Sequence, residues 1–550
     1  MDLENLKLAA QIISQPYSQR AQDAKKQQIQ KVKVLLTQRS LPEKGWNEEE
    51  IQPFLCELRM MDSNNYLGHA GVGEREGRIY SSLVYRRNFG FAHGMGRSGD
   101  ILELQPKAAG GSLVAKLTNS LAMSAIKESG ISNIKACVVL PMATGMSIAF
   151  SFLALRDIRP KTAKFVIMSR MDHKSCIKSI GTAGFEPVIV EQLLENDELV
   201  TDLEEIENQI QKCGSENILA VFTTTSCFAP RTPDKAIEVS MMCKKYNVPH
   251  LVNNAYGLQS RKTSAMLNEA IKKGRIDIIV QSTDKNFMVP IGGSIVSSPN
   301  KAMIKVISST YPGRASISPI VDLFITLLQM GRDGFKKLLK KRKKLYSYFT
   351  DKVSRVAEKH QERLLKTPNN PISFVMSLKT FDKVDDLDSS KKTLPSMLGS
   401  MLFARQCSGS RVINKGVVKE ICGIKFQGYG AHSSKYPFSY MAMSCAIGIK
   451  KSEIDTFVER LDKALIEFRK FSQNPQRNVP QDLLVYLKHK DQKNHKNIQN
   501  FKNSNLNSNQ NQNQNQNHQL EDNQLENQII KEIEKDPKVD YFEINENSQK

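Results

Sequence analysis

Between residues 136 and 296 short apolar runs recur, each ending in small or polar residues and each followed by a stretch with helical spacing. Ala136–Leu140, Phe165–Met168, Pro187–Val190, Ile218–Phe222, His250–Val252 and Ile276–Val280 have the length of buried strands and are too short for helices. Thr201-Asp202-Leu203-Glu204 reads as a capping box opening one intervening helix. Thr232-Pro233 reads as a cap residue before a proline at the first helical position, opening another. Strands alternating with helices predict a mostly parallel sheet covered on both faces, an α/β fold.

The flanks differ. Residues 20–60 read as helices, with Ile29, Val32, Leu35 and Leu36 on an apolar face and Arg20, Lys25, Lys26, Lys31, Lys33 and Arg39 supplying exposed charge. Residues 319–360 read as one long helix or a pair, with a Lys-rich run from Lys336 to Lys344, and residues 370–470 mix short strands and helices. After about residue 472 the composition changes, and residues 501–530 hold 17 Asn plus Gln, which predicts disorder. The expected organisation is a helical N-terminal extension (1–60), a large domain (61–330), a smaller C-terminal α+β domain (331–471) and an Asn/Gln-rich tail (472–550).

At 550 residues and 40% hydrophobic content the chain has ample core for two or more domains. No apolar run approaches the roughly 20 residues that span a bilayer. The acidic start Met1-Asp2-Leu3-Glu4-Asn5 lacks a signal-peptide core, so the expected location is cytosolic or nuclear, with the cytoplasm favoured. Nine cysteines at wide spacing form no C-x-x-C pair; they read as reduced thiols, mostly core, with no zinc site. The net charge of +21 points to a polyanion partner, RNA ahead of membrane; a basic bias of the parent proteome is the alternative.

The candidate chemistry centres on Gln281–Gly293. A single amine, Lys285, follows the strand Ile276–Val280, and Pro290 with Gly292-Gly293 then stops any regular element. Strand ends are where α/β folds place ligands, and a desolvated lysine there can lose its proton and form a Schiff base with a carbonyl. A solvated loop lysine is the alternative. Two glycine clusters, Gly68–Arg78 and Gly94–Asp100, fit neither a Walker loop nor a dinucleotide fingerprint. Both set flexible backbone N–H groups beside an arginine, which suits a tetrahedral anion as well as it suits ordinary tight turns. Tyr311–Ser316 is a further turn carrying Arg314. Asn253 and His173 stand at strand ends; on the residues alone Asn253 reads first as a turn former and His173 as a bystander, with a site role the alternative for each.

These stretches together carry a resemblance. Met61–Asn65, Gly71–Arg78, His93–Asp100, Thr223–Arg231, Val252–Gly257, Asp284–Pro290 and Tyr311–Ser316 resemble motifs of the O-phosphoseryl-tRNA(Sec) selenium transferase family, over residues of about 15 to 470. The resemblance implies a fold-type-I transferase dependent on pyridoxal phosphate, assembled as a homotetramer. Its reaction would turn O-phosphoseryl-tRNA(Sec), selenophosphate and water into selenocysteinyl-tRNA(Sec) and phosphate, the last step of selenocysteine biosynthesis. It implies Lys285 as the Schiff-base lysine, Arg75 near the cofactor phosphate, and Ala143, Thr144, Gly145 and Asn253 as further cofactor contacts, Asn253 near the pyridine nitrogen. Arg97, Ser98, Gln105 and Arg314 match the substrate-phosphate pocket, and Glu74 a filter that repels the α-carboxylate of free amino acids. Lys272, Arg405 and Lys470 align with tRNA contacts; at Lys272 an arginine is expected in relatives, so the charge is kept without the bidentate fork. Rival readings are another enzyme using the same cofactor (a cysteine desulfurase or an amino acid decarboxylase) and a catalytically inactive RNA-binding protein. No cysteine sits in a suitable flexible loop for the first, Glu74 opposes the second, and the intact Lys285, Arg97, Gln105 and Arg314 argue against the third.

Overall fold

The computed structural model describes residues 2–382 and 395–473. The expected Asn/Gln-rich tail lies outside the described residues, apart from its first two positions, which close the last helix.

A seven-stranded sheet forms the centre. Its spatial order is Ala136–Leu140, Ser294–Ser298, Ile278–Ser282, His250–Asn253, Ile218–Thr224, Phe165–Ser169, Glu186–Val190. Five strands, from Ile278–Ser282 to Glu186–Val190, run parallel, while Ser294–Ser298 lies antiparallel to both its neighbours. Ile218–Thr224 is buried at every position, as a central strand covered on both faces requires. Fully burying a side chain such as Phe222 or Ile279 contributes about 1.5–3 kcal/mol, and dozens of them make one continuous core.

Three local expectations are corrected. The helix Leu203–Cys213 is capped by Asp202, whose side chain accepts from Glu205 N–H, and Thr201 is not the cap. Thr201 ends the preceding strand, and its hydroxyl donates to Asp234 at 2.9 Å. Thr232-Pro233 opens no helix either: Thr232 is bound through N–H and Oγ1 to the Leu199 carbonyl, and the helix begins at Ala236. Of the apolar face proposed for residues 29–36, only Leu35 is buried; Ile29 and Leu36 are exposed. All nine cysteines are free, with Cys56 and Cys422 exposed, Cys213 half-buried and the rest buried.

The long helix Ser318–Lys359 breaks direction at Gly331, where φ is 58° and ψ −177°. The break has an identifiable cause. The segment between the helices Gln15–Gln38 and Glu48–Arg59 runs against it and takes over the freed hydrogen bonds. Arg332 N–H donates to Pro42 O (2.8 Å), Asp333 N–H to Glu43 O (3.0 Å), and Trp46 N–H to Leu328 O (2.9 Å). Beyond the break the helix joins a second core containing Phe349, Val353, Phe374, Met401, Leu465 and Phe468, built on the antiparallel strands Ser373–Ser377, Tyr440–Ser444 and Arg411–Ile413. Among the described residues no helix is long and apolar enough to cross a membrane.

Candidate active site

Lys285 stands at the end of the strand Ile278–Ser282, as expected, carried on a single helical turn, Thr283–Phe287. Asn286 locks that turn by donating to Ala255 O (2.8 Å) and Ser282 O (2.7 Å), and Thr283 Oγ1 donates to Gly293 O (2.8 Å). Fully buried Phe287 anchors it against Phe335 at 5.7 Å between ring centroids. Met288 in left-handed geometry ends it. The lysine side chain projects into a cavity of about 360 Å³. It is accessible from that cavity, yet protein atoms surround it on most sides. This desolvation lowers its pKa below that of an ordinary lysine; Asp284 opposes the shift and Arg411 adds to it.

The ends of several neighbouring elements supply the cavity wall. Thr144 and Ile148 come from the first turns of the helix Thr144–Arg156, which begins at Ala143 without a side-chain cap, leaving its first N–H groups turned to this end of the sheet. Asn253, the last residue of its strand, accepts from Ala255 N–H (3.1 Å) and donates to Cys176 Sγ (3.3 Å). His173 precedes the helix Lys174–Thr182; burial, with Arg411 and Lys285 adding, pushes its pKa down to about 3, so the ring is neutral. Its Nδ1 lies 2.6 Å from Ser175 Oγ. The Tyr256 hydroxyl is buried without a hydrogen-bond partner, and Arg411 lies over the Phe228 ring at 4.1 Å.

The structure thus brings Lys285, Thr144 and Asn253 together, with Ala143 and Gly145 adjoining. Arg75, Arg97, Ser98, Gln105 and Arg314 do not line this cavity. They belong to a second region of the same chain. Mutual backbone bonds between Met95 and Ala315 (2.9 and 3.1 Å) set Arg314 beside the second glycine cluster. Arg314 is half-buried, its Nε and one terminal nitrogen lack partners, and burial with the nearby Arg75 charge lowers its pKa. Arg97 and Ser98 are exposed on a turn closed by Arg97 and Asp100. Gln105 is half-buried and accepts from Lys107 N–H at 3.3 Å. Glu74 and Arg75 pair at 3.2 Å on an exposed edge. Lys272 is exposed near the end of Arg261–Lys273. Arg405 ends Ser396–Ala404 and bonds Glu467 at 2.6 Å, one turn before exposed Lys470 on the same helix.

Sequence reasoning left His173 unassigned and missed Arg411, Cys176 and Gln259. Tyr256, Ser226 and Phe228 fell inside quoted motifs without a role. Arg411 had no local signal at all, because it reaches the cavity from a strand about 126 residues after Lys285, placed by the docking of the second core.

A mostly parallel sheet with a desolvated lysine at a strand end, facing a helix N-terminus across a cavity, defines a fold-type-I transferase of the pyridoxal-phosphate class. The family described as O-phosphoseryl-tRNA(Sec) selenium transferase matches residues 61–466. The Dictyostelium discoideum protein of that name is 48% identical over 474 residues, 84% of this chain and 99% of that protein. The Caenorhabditis elegans protein is 41% identical over 79% of this chain and 89% of its own length. The crystal structure of an archaeal O-phosphoseryl-tRNA(Sec) selenium transferase superposes with a TM-score of 0.73 at 30% identity, covering 82% of this chain and 97% of that one. The chain belongs to the O-phosphoseryl-tRNA(Sec) selenium transferase family.

Proposed function

We propose that this chain converts O-phosphoseryl-tRNA(Sec) to selenocysteinyl-tRNA(Sec) with selenophosphate, the last step of selenocysteine biosynthesis, using pyridoxal phosphate held in the Lys285 cavity. The observation that carries the reading is the desolvated Lys285 amine facing the uncapped helix start at Thr144.

The residues present fit that cofactor. Backbone N–H groups at Ala143, Thr144 and Gly145 suit a phosphate, Lys285 with its lowered pKa suits an aldehyde, and the unpartnered Tyr256 hydroxyl suits a ligand oxygen. The bound cofactor supplies a carbonyl that takes up amines and a ring that accepts electron density from Cα. Lys285 would hold the carbonyl, and its Nζ, with the lowered pKa, is the base placed to take the Cα proton. Asn253, which would serve the ring nitrogen, is oriented by Cys176 and Ala255. Neutral His173 contributes an apolar face and no charge.

Phosphate leaves from Cβ as a dianion. Arg97, Ser98, Gln105 and Arg314 bind it, the arginines through fork-shaped hydrogen bonds, and Arg75 serves the cofactor phosphate. Selenium then adds at Cβ, and hydrolysis of the selenophosphate remnant releases a second phosphate. Glu74 excludes free amino acids by repelling their α-carboxylate, which the tRNA ester lacks. Lys272, Arg405 and Lys470 meet tRNA phosphates, in keeping with the +21 net charge.

The chain works as a homotetramer in the cytoplasm, in which the arginine region of one copy completes the Lys285 cavity of another. Support comes from the lining of the Lys285 cavity, which takes in none of Arg75, Arg97, Ser98, Gln105 and Arg314 of its own chain, and from the exposed apolar side chains of Leu67, Val72 and Tyr80 beside the first glycine cluster. The test is a gel-resolved assay with pyridoxal phosphate, selenophosphate and O-phosphoseryl-tRNA, run against free O-phosphoserine. Product on tRNA alone is expected; conversion of the free amino acid alone overturns the substrate assignment.

A further inference from the structure

The Gly71–Arg78 loop and the phosphate-binding loop of residues 93–107 share one carboxylate. Glu76 Oε1 accepts from Lys107 Nζ at 2.5 Å and from Gly73 N–H at 3.2 Å, and Oε2 faces His69 Nε2 at 3.8 Å. The Glu76 side chain is only 6% exposed although it lies near the surface, because its own loop wraps it in a single layer; Lys107 is 46% exposed. That wrapping requires glycine. A Cβ at Gly73 would stand 2.4 Å from Glu76 Oε1, and one at Gly71 would stand 2.8 Å from Oε2. Arg78 closes the loop from outside, donating to Gly73 O at 3.2 Å and also to Gly71 O. Glu76 is therefore the inner post of a loop whose outer edge carries Glu74 and Arg75.

Lys107 belongs to the other loop. Its N–H donates to Gln105 Oε1 at 3.3 Å, and its carbonyl accepts from Ser63 N–H at 2.9 Å. Ser63 Oγ in turn lies 3.2 Å from Nε2 of buried His93, the residue that opens the second glycine cluster. The hydrogen bond from Lys107 holds the Glu76 carboxyl below the usual carboxylate range, so Glu76 is a carboxylate at neutral pH.

We propose that Glu76 and Lys107 form a positioning latch that sets the Glu74–Arg75 edge against the Gln105–Arg314 pocket and thereby governs how tightly the substrate phosphate is held. The latch has two effects. It joins two flexible anion-binding loops into one body, so that ordering them is not left to the substrate. It also commits the Lys107 ammonium to a carboxylate, leaving the forked guanidinium groups to take the phosphate; an uncommitted lysine beside them would compete for the same anion as a point charge. Glu76 and Lys107 act through other residues and touch no reacting atom.

The inference rests on the phosphate-pocket reading above, and the experiment separates the two. Full-length enzyme loaded with pyridoxal phosphate is compared with Glu76→Gln, Lys107→Met, the double variant and Arg314→Lys, measuring KM and kcat for O-phosphoseryl-tRNA, the visible absorbance of the bound cofactor, and the unfolding temperature. Each single latch variant is expected to raise KM about tenfold with kcat within about twofold, as misplaced binding groups do. The double variant is expected to be no worse than the worse single, the non-additivity of residues acting as a unit. Cofactor absorbance stays unchanged. An unchanged KM in the single variants, multiplicative effects in the double, or a loss of cofactor with KM intact overturns the latch. If Glu76→Gln yields no soluble enzyme, the half-exposed Lys107→Met decides alone, and an unchanged KM overturns the proposal. If Arg314→Lys itself leaves KM unchanged, the pocket reading fails; if it raises KM while the latch variants do not, only the latch fails.

Discussion

Gln259 holds the backbone of Lys285. Its side-chain nitrogen donates to the Lys285 carbonyl at 2.6 Å, and its side-chain oxygen accepts from Ile447 N–H at 2.9 Å. One buried amide thus links the lysine-bearing turn to the strand-end segment of the second core, in the wall of the same cavity. Replacing Gln259 with Leu strands two backbone groups without partners and should cost roughly 2–4 kcal/mol. Chemical denaturation should show that loss, and kcat should fall more than KM rises, because the amine and not the phosphate pocket is displaced. An unchanged denaturation midpoint would sink this account of Gln259.

Lys285 owes its lowered pKa first to burial and further to the Arg411 charge, against the opposing Asp284. Arg411→Leu removes a cation, so the ammonium becomes easier to form and the pKa should rise. Adduct formation with pyridoxal phosphate, followed by visible absorbance across pH, should shift its midpoint upward. A downward shift contradicts the assigned electrostatics.

Acid stability should depend on His250, which is fully buried with Nε2 2.8 Å from Thr223 Oγ1. Burial lowers its pKa to about 4. The sign follows: the folded state keeps the ring neutral while the unfolded chain binds a proton below about 6.5, so this contribution is complete above that value and is lost as pH falls toward 4. The full loss is roughly 3 kcal/mol. His250→Gln should flatten the decline of unfolding free energy between pH 6.5 and 4; an equally steep decline would assign the acid sensitivity to other groups.

Gly331 and Gly45 meet backbone to backbone at the break of the long helix. A Cβ on Gly331 would come within 2.6 Å of Gly45 N, and the φ of 58° already disfavours any side chain. Gly331→Ala should cost about 3 kcal/mol or more, read as a lowered unfolding temperature. An alanine at Gly334, three residues on, where a Cβ meets only Met330 side-chain atoms at 3.3 Å or more, should be tolerated. Equal losses at both positions would remove the special status of the break.

The sequence alone determined the layered α/β core, because a strand buried on both faces must be a short unbroken apolar run, and such runs are readable one by one. Ala136–Leu140 was legible to the residue. Lys285 was legible as the lone amine at a strand end, and the glycine clusters as flexible backbone beside an arginine. Helix starts at Asp202 and Ala236 were not, because Thr201 and Thr232 spend their hydroxyls on the Asp234 carboxylate and the Leu199 carbonyl, partners distant in the chain. Only the tertiary structure decided that Arg411, Tyr256 and Gln259 share a cavity with Lys285, and that Arg97 and Arg314 of the same chain do not line it. Local patterns report on a residue's immediate neighbours along the backbone, whereas a site is made by the docking of separate cores, and that docking is set by surfaces assembled from the whole chain.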